Sequence, residues 1–227
     1  MARRLKQQRR GKGSTKYVAN RNAIAKVKYP FNYTLDLATG EIIDILHNPG
    51  KNAPIAKVML ENGEIFYTPA SEGSYVGLHV QVGGKAEAGL NNVMILGNVS
   101  PGYTVYNIES KPGNGGSFFR SSGTYGLVIG SDEKGVYVKM RSGEKKLLDP
   151  KSLCTLGIVA GAGKKEKPLM KAGNKFYAMK AKGGRIYPVV RGYAMNAVDH
   201  PHGGSGHNSA GRQKNVSKKF GAPGQKV

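Results

Sequence analysis

The sequence has no tryptophan, a single cysteine and no long apolar run. One cysteine, Cys154, excludes an internal disulfide and a cysteine-rich zinc site, which favours a reducing compartment. No stretch approaches the roughly eighteen apolar residues that a membrane span requires. Residues 2–28 also lack the apolar core of a secretory signal peptide. The composition therefore favours a cytoplasmic protein.

Acidic residues are scarce at both ends of the chain. Residues 1–29 contain ten Lys or Arg and no acid, and residues 164–227 contain fourteen Lys or Arg with two acids. Residues 30–163 have eleven bases and twelve acids, so the whole excess of the +21 formal charge lies in the two terminal segments. A near-neutral middle with two basic ends indicates a polyanionic partner.

Nucleic acid and an anionic membrane surface are the two polyanions to weigh. The basic segments are interrupted by Gly, Asn and Ser and show no amphipathic helical stripe, which argues against a membrane partner. Aromatic residues that can stack on unpaired bases lie in or beside the basic and Gly-rich segments. They are Tyr17, Tyr29, Phe31, Tyr33, Phe118, Phe119, Tyr187 and Tyr193. The sequence therefore favours RNA or single-stranded nucleic acid.

The middle of the chain has the texture of short β-strands separated by turns. Residues 56–60 and 64–68 flank Asn62-Gly63, a dipeptide typical of a tight hairpin. Other expected strands are 75–82, 93–96, 104–108, 125–130, 136–140 and 144–148. This pattern predicts a mainly β chain with an OB-type barrel followed by an SH3-like barrel.

The predicted organisation has four parts. Residues 1–32 form a basic N-terminal arm, 33–112 the OB-type barrel, 113–175 the SH3-like barrel with a Gly-rich linker, and 176–227 a basic C-terminal extension. Both basic ends are expected to be non-globular. We expect residues 3–13 to lack regular structure through self-repulsion, residues 168–172 to form one short helical turn, and the tail from Arg191 to have no structure without a partner.

Candidate enzymatic motifs fail on spacing or context. Residues 157–165 lack the Gly-Lys-Ser/Thr end of a phosphate-binding loop. A histidine-based metal site near Asp199 would have no cysteine or second carboxylate nearby, and its imidazoles suit phosphate or base contacts better. Cys154 lies among apolar residues and is expected in the core. The sequence predicts no catalytic residue, no metal and no cofactor.

Residues 184–204 read Gly-Arg-Ile-Tyr-Pro-Val-Val-Arg-Gly-Tyr-Ala-Met-Asn-Ala-Val-Asp-His-Pro-His-Gly-Gly. This segment resembles the signature of the universal large-subunit ribosomal protein two family, with Ala197 in place of the usual proline. Residues 106–113, 115–125, 141–144 and 154–157 are also similar to that family. The short N-terminal arm, residues 7–13, is similar to archaeal or eukaryotic versions.

The resemblance implies two barrels, OB-type and then SH3-like, with extensions that penetrate ribosomal RNA. It implies that the protein is a structural constituent of the large ribosomal subunit and a primary binder of large-subunit rRNA. In that role the protein would support subunit association, tRNA placement and the peptidyl transferase region. Implied partners are large-subunit rRNA, other ribosomal proteins and the small subunit at the interface, in cytoplasmic ribosomes. Because catalysis in this setting belongs to RNA, the protein is expected not to be an enzyme.

The expected rRNA-binding residues lie mainly in the basic ends and the signature segment. They are Arg3, Arg4, Arg9, Arg10, Lys12, Arg120, Arg185, Arg191, Asn196, His200, His202, Arg212, Lys218 and Lys219. His200 matches the family's histidine near the peptidyl transferase region. Two other hypotheses stay open at this point: a free-standing OB-fold factor that binds single strands or tRNA transiently, and an enzyme with a histidine-based metal site.

Overall fold

Ten strands form one continuous sheet in the computed structural model, which describes residues 6–13, 17, 26–30, 37–48, 51–164, 166–181, 187–200 and 202–204. In chain order they are β1 (Leu37–Leu46), β2 (Ile55–Leu60), β3 (Ile65–Pro69), β4 (His79–Gly83), β5 (Val93–Ile95), β6 (Thr104–Tyr106), β7 (Gly126–Asp132), β8 (Gly135–Lys139), β9 (Lys145–Leu148) and β10 (Leu153–Leu156). The order across the sheet is β3-β2-β1-β4-β5-β10-β6-β7-β8-β9. The predicted mainly β class is confirmed.

The chain divides into two compact units. The sheet unit, residues 21–168, carries all ten strands, and the terminal unit consists of residues 1–20 and 169–227. Two helices, α1 (Lys6–Gly11) and α2 (Ala172–Ala181), belong to the terminal unit. Short 3₁₀ turns occur at Leu96–Asn98, Ala162–Lys164 and Gly192–Ala194.

Two main clusters of buried apolar residues lie on the sheet. The first packs Ile42, Val58 and Val80 of β1, β2 and β4 together. The second packs apolar residues between 86 and 108 against residues of β7, β8, β9 and β10. It therefore contains residues of both predicted barrels, 33–112 and 113–175. The barrel types and the boundary at residue 112 stay predictions. Cys154 is fully buried in the second cluster, as expected, and burial raises the pKa of its thiol.

Strand β1 was not predicted, although it is the longest in the sheet. Its pairing with β2 shifts register between Ile42 and Asp44, so one extra residue interrupts the period-two alternation. Gly40 also lies within the strand, where an added Cβ would meet Leu60. Half-buried strands are recognised in a sequence by alternating apolar and polar residues, and the bulge and the glycine interrupt that alternation in β1.

Strand β4 begins later than the expected strand over residues 75–82. Gly77 has a φ of +92°, which breaks the extended backbone before His79. Val76 is 57% exposed, whereas Val80 and Val82 are buried. The strand predicted over residues 75–82 is therefore confirmed only in its second half, from His79 onward.

The N-terminal arm contains a helix, and the expectation of no regular structure there is wrong for residues 6–11. Its sequence, Lys-Gln-Gln-Arg-Arg-Gly, consists of good helix formers before the glycine. Gly13 has a φ of +70° and its N–H donates to the Arg10 carbonyl at 3.0 Å, which closes the C-terminal end. High propensity locally outweighs like-charge repulsion.

Residues 26–30, the end of the predicted basic arm, are integrated into the sheet unit. The Lys28 N–H donates to the Tyr67 carbonyl at 3.2 Å, and the Tyr29 N–H donates to the Gly115 carbonyl at 3.3 Å. The Tyr29 ring is buried and its hydroxyl lies 2.6 Å from the Thr155 hydroxyl. Burial raises the pKa of Tyr29 well above its ordinary value. Tyr29 is thus a core residue rather than a base-stacking one.

A buried carboxylate, Glu109, holds the Gly-rich loop that follows β6. Its Oε1 accepts from the Gly115 N–H at 2.6 Å, and its Oε2 accepts from the N–H groups of Gly113 at 3.2 Å and Leu153 at 3.0 Å. Glu109 is 1% exposed. Three backbone donors satisfy a charge that would otherwise be costly to bury.

We expect Glu109→Gln to destabilise the sheet unit by about 1–3 kcal/mol, because the amide nitrogen cannot accept and leaves a buried backbone N–H unpaired. Urea unfolding followed by circular dichroism measures the change. Glu133→Gln, at an exposed position in the β7–β8 turn, is the matched control and should be neutral. Equal stability of the two variants would contradict the role assigned to Glu109.

Candidate nucleic-acid interface

Several of the predicted rRNA-binding residues lie outside the part of the chain that the structure describes. They are Arg3, Arg4, Arg185, Arg212, Lys218 and Lys219, and the side chain of Arg9 is likewise not described. Arg10 and Lys12 are exposed at the end of α1. The Arg10 guanidinium lies 5.9 Å from the ring centroid of Tyr17, within range of a cation–π contact.

Arg120 is half-buried in the sheet unit and already holds two backbone carbonyls. Its Nη1 donates to Gly116 at 2.9 Å and its Nη2 donates to Val27 at 2.7 Å. Burial lowers the pKa of Arg120, and burial together with the Arg120 charge lowers the pKa of Lys51. Two of the five N–H donors of Arg120 are therefore used to connect residues 26–30 to the Gly-rich loop. The contact of Arg120 with RNA stays a prediction.

The signature loop, residues 191–204, is closed by its own backbone hydrogen bonds in the residues described, which exclude 201. The Met195 N–H donates to the Gly192 carbonyl at 3.2 Å, and the Gly204 N–H donates to the Met195 carbonyl at 3.2 Å. The Asn196 carbonyl accepts from the N–H groups of Asp199 at 3.0 Å and His200 at 3.2 Å. The expectation that this segment has no structure without a partner is wrong for these residues, because turn hydrogen bonds need no sequence periodicity.

His200 packs inside the signature loop against a glycine. A Cβ added to Gly192 would collide with the His200 imidazole, so this glycine makes room for the ring. The His202 N–H donates to His200 Nδ1 at 3.0 Å, and the two rings meet edge to face at 4.8 Å between centroids. Because Nδ1 accepts, the proton of the neutral imidazole lies on Nε2, which is left as a donor.

The other predicted residues of the loop are exposed. Arg191 donates from Nη1 to the Tyr193 hydroxyl at 2.7 Å, and its guanidinium lies 5.7 Å from that ring centroid. The Asn196 side chain is exposed, while its carbonyl forms the turn described above. The loop thus brings together a guanidinium, an aromatic ring, an amide and an imidazole, which are groups that bind phosphates and base edges.

Helix α2 carries basic and aromatic side chains that the sequence analysis did not select. It runs from Ala172 to Ala181, where only a short turn at residues 168–172 was expected, and none of its residues is buried. Phe176 and Tyr177 are exposed and meet edge to face at 5.5 Å, and the Lys175 ammonium lies 5.2 Å from the Tyr187 ring. The signal was a run of Ala, Lys, Phe and Met without proline, which favours helix.

The described residues form neither of two other kinds of site, a metal centre or a membrane-spanning helix. Among them, no group of three or more His, Cys, Asp or Glu side chains is placed to hold a metal ion. No described helix is long and apolar enough to cross a bilayer. A β-sheet unit with a separate basic unit that exposes aromatic rings defines a class of protein suited to polyanions.

Comparisons with known proteins identify the family. The sequence model of the ribosomal protein L2 C-terminal domain matches residues 89–220. The chain is 45% identical to the large ribosomal subunit protein uL2 of Methanothrix thermoacetophila over 228 residues, covering 100% of this chain and 95% of that protein. It is 44% identical to uL2 of Methanococcus aeolicus, with 100% and 95% covered, and 43% identical to uL2 of Pyrobaculum neutrophilum, with 100% and 91% covered.

The chain belongs to the ribosomal protein L2 family, and its relatives are of the archaeal type. The resemblance carried by residues 184–204 is thereby confirmed. Because the family consists of structural ribosomal proteins rather than enzymes, the histidine-based enzyme hypothesis is wrong.

We expect Gly192→Ala to displace the His200 ring and to break its hydrogen bond with the His202 N–H. The imidazole would then exchange between both neutral tautomers, whereas the unsubstituted protein holds the proton on Nε2. Long-range ¹H–¹⁵N NMR spectra of the histidine rings measure this. Gly173→Ala, where an added Cβ meets no atom within 4 Å, is the control in the same unit. Unchanged His200 signals in Gly192→Ala would contradict the packing described.

Proposed function

We propose that this structural protein of the large ribosomal subunit is a primary binder of large-subunit rRNA. The observation that carries the proposal is the segregation of charge, since the terminal segments 1–29 and 164–227 hold twenty-four of the thirty-five Lys and Arg residues with only two acids. Each basic side chain that neutralises a phosphate releases condensed counterions, which drives binding. Glycines within both segments let the backbone approach RNA closely.

The proposal extends to the signature loop as a contact near the peptidyl transferase region. His200 Nε2 is a hydrogen-bond donor whose tautomer is fixed by the His202 N–H, so it suits a phosphate or base acceptor. Arg191 and Tyr193 supply a guanidinium and a ring beside it. Through this loop the protein would support tRNA placement and subunit association.

The partners that follow are large-subunit rRNA, other ribosomal proteins and the small subunit at the interface. The family implies residence in the ribosome, which sits in the cytoplasm. A free-standing factor that binds RNA transiently is less well supported, because the similarity to large-subunit proteins extends over the whole chain.

Replacing the six Lys and Arg of residues 1–13 by Gln should weaken rRNA binding and flatten its salt dependence. If all six contact phosphates, the slope of log affinity against log salt falls by about 4–5. Filter binding to large-subunit rRNA at several salt concentrations measures the slope. Unfolding of the sheet unit should not change, because residues 1–20 lie outside it. An unchanged slope would show that the arm makes no phosphate contacts.

Replacing His200 by Ala should leave assembly intact but reduce the activity of the particle. Loss of one hydrogen bond of about 0.5–1.5 kcal/mol corresponds to roughly a 2- to 10-fold effect. Particles are isolated by sedimentation at physiological salt and tested for peptide-bond formation, with His79→Ala at an exposed position of β4 as control. If even the unsubstituted protein sediments free of large subunits, the proposed function itself is wrong.

A further inference from the structure

The outward face of β7, β8 and β9 carries cations close to Tyr125, the residue that precedes β7. In the sheet register Leu127 pairs with Lys139, and Lys139 pairs with Lys145, so these three side chains lie in one row. The alternating partners Val128 and Val138 are buried in the second core cluster. The row therefore lies on the face of the sheet away from that core.

A cavity of about 430 Å³ opens on this face. It is lined by Tyr125, Leu127, Lys139, Met140 and Arg141, with a glycine at each side, and its volume falls in the range of about 300–1,000 Å³ typical of small-molecule sites. Tyr125 is 45% exposed, so its ring is accessible. The cavity lining thus combines an aromatic ring, the apolar side chains of Leu127 and Met140, and two basic side chains.

The cations of this face have no described counter-charge. Lys139 and Lys145 are directly opposed on adjacent strands, an arrangement that is destabilising unless an anion is present. Glu144, the acid of the connecting turn, is exposed and forms no ion pair with them within the described part of the chain. Lys146 is engaged elsewhere, with its ammonium 4.3 Å from the Phe118 ring centroid. The near-neutral middle of the chain therefore contains a local basic site.

We propose that this cavity binds one unpaired nucleotide of RNA, with the base stacked on Tyr125 and an adjoining phosphate held by Lys139 and Arg141. The proposal rests on the proposed RNA-binding function and adds to it a site in the sheet unit. An acidic peptide could satisfy the two cations but would leave the aromatic ring unused, whereas a nucleotide uses both, because its phosphate binds the cations and its base stacks on the ring.

The absence of tryptophan from the chain allows a direct test. Tyr125→Trp and Tyr103→Trp each place a single fluorophore in the full-length protein, and both positions are 45% exposed. Hexauridylate should quench the fluorescence of Tyr125→Trp saturably and leave that of Tyr103→Trp unchanged, because only the first stacks on a base. A blunt RNA duplex, which has no unpaired base, should quench neither.

The phosphate contacts are tested in the same Tyr125→Trp background. Adding Lys139→Gln and Arg141→Gln should lower the slope of log affinity against log salt by about 1.4, since two contacts to a single strand contribute about 0.7 each. Lys134→Gln with Lys151→Gln removes two exposed cations outside the cavity and should leave the slope unchanged.

The outcomes separate this proposal from the proposed function. RNA binding seen by anisotropy with no quenching at position 125, or with equal quenching at both positions, would overturn the nucleotide site alone. No RNA binding at all would overturn both. Stronger quenching by a poly-glutamate peptide than by hexauridylate would identify an acidic protein segment as the occupant and reject the nucleotide.

A second measurement needs no substitution. The unsubstituted protein is irradiated with a hexanucleotide that contains 4-thiouridine, and the crosslinked peptides are identified by mass spectrometry. A crosslink to the segment around Tyr125 or Arg141 is expected. Crosslinks confined to residues 1–29 and 164–227 would overturn the nucleotide site even if the tryptophan variants fail to fold.

Discussion

The carboxylate of Glu109 is the constraint on which the centre of this protein depends. This single buried carboxylate accepts hydrogen bonds from backbone N–H groups of the Gly-rich loop and of β10. That loop in turn accepts from the Tyr29 N–H and from Arg120, which also holds the Val27 carbonyl. One acid therefore fixes the loop to which residues 26–30 are hydrogen-bonded within the sheet unit.

The net charge of +21 is unevenly distributed along this chain, so the position of each charge matters more than the total. The sheet unit is close to neutral over residues 30–163, yet its β8–β9 hairpin has cations on its outward face, and the acids Asp132 and Glu133 lie at the turn between β7 and β8. In the proposed function, the basic side chains of the two ends would supply binding that does not depend on RNA sequence, whereas fixed sites such as the signature loop and the Tyr125 cavity would select particular nucleotides. Affinity and selectivity would then depend on different side chains, even where both lie in the same basic segment.

Sequence reasoning was accurate where one local rule decided the outcome. Asn62-Gly63 located the β2–β3 hairpin, apolar surroundings placed Cys154 in the core, and rare residue combinations identified the family. It failed where structure depends on irregular or distant pairing. The bulge in β1 concealed a strand, Arg120 contacts Val27 across 93 residues, and the signature loop is closed by turn hydrogen bonds without periodicity. The helix-forming residues of α2 indicate a helix by propensity alone, although the segment lacks the apolar stripe of a buried helix.

The position of β10 has a consequence for how the chain is made. This strand lies between β5 and β6 in the sheet, yet it is the last of the ten to be synthesised. Until residue 156 has left the translating ribosome, β5 and β6 each present an unpaired edge, and the Glu109 carboxylate lacks the hydrogen bond from the Leu153 N–H. Pairings that span about fifty to sixty residues, as those of β10 with β6 and β5 do, are slow to form. The nascent chain therefore passes through a stage in which two open edges and the basic N-terminal segment are exposed together, and it is then most in need of a chaperone or of RNA.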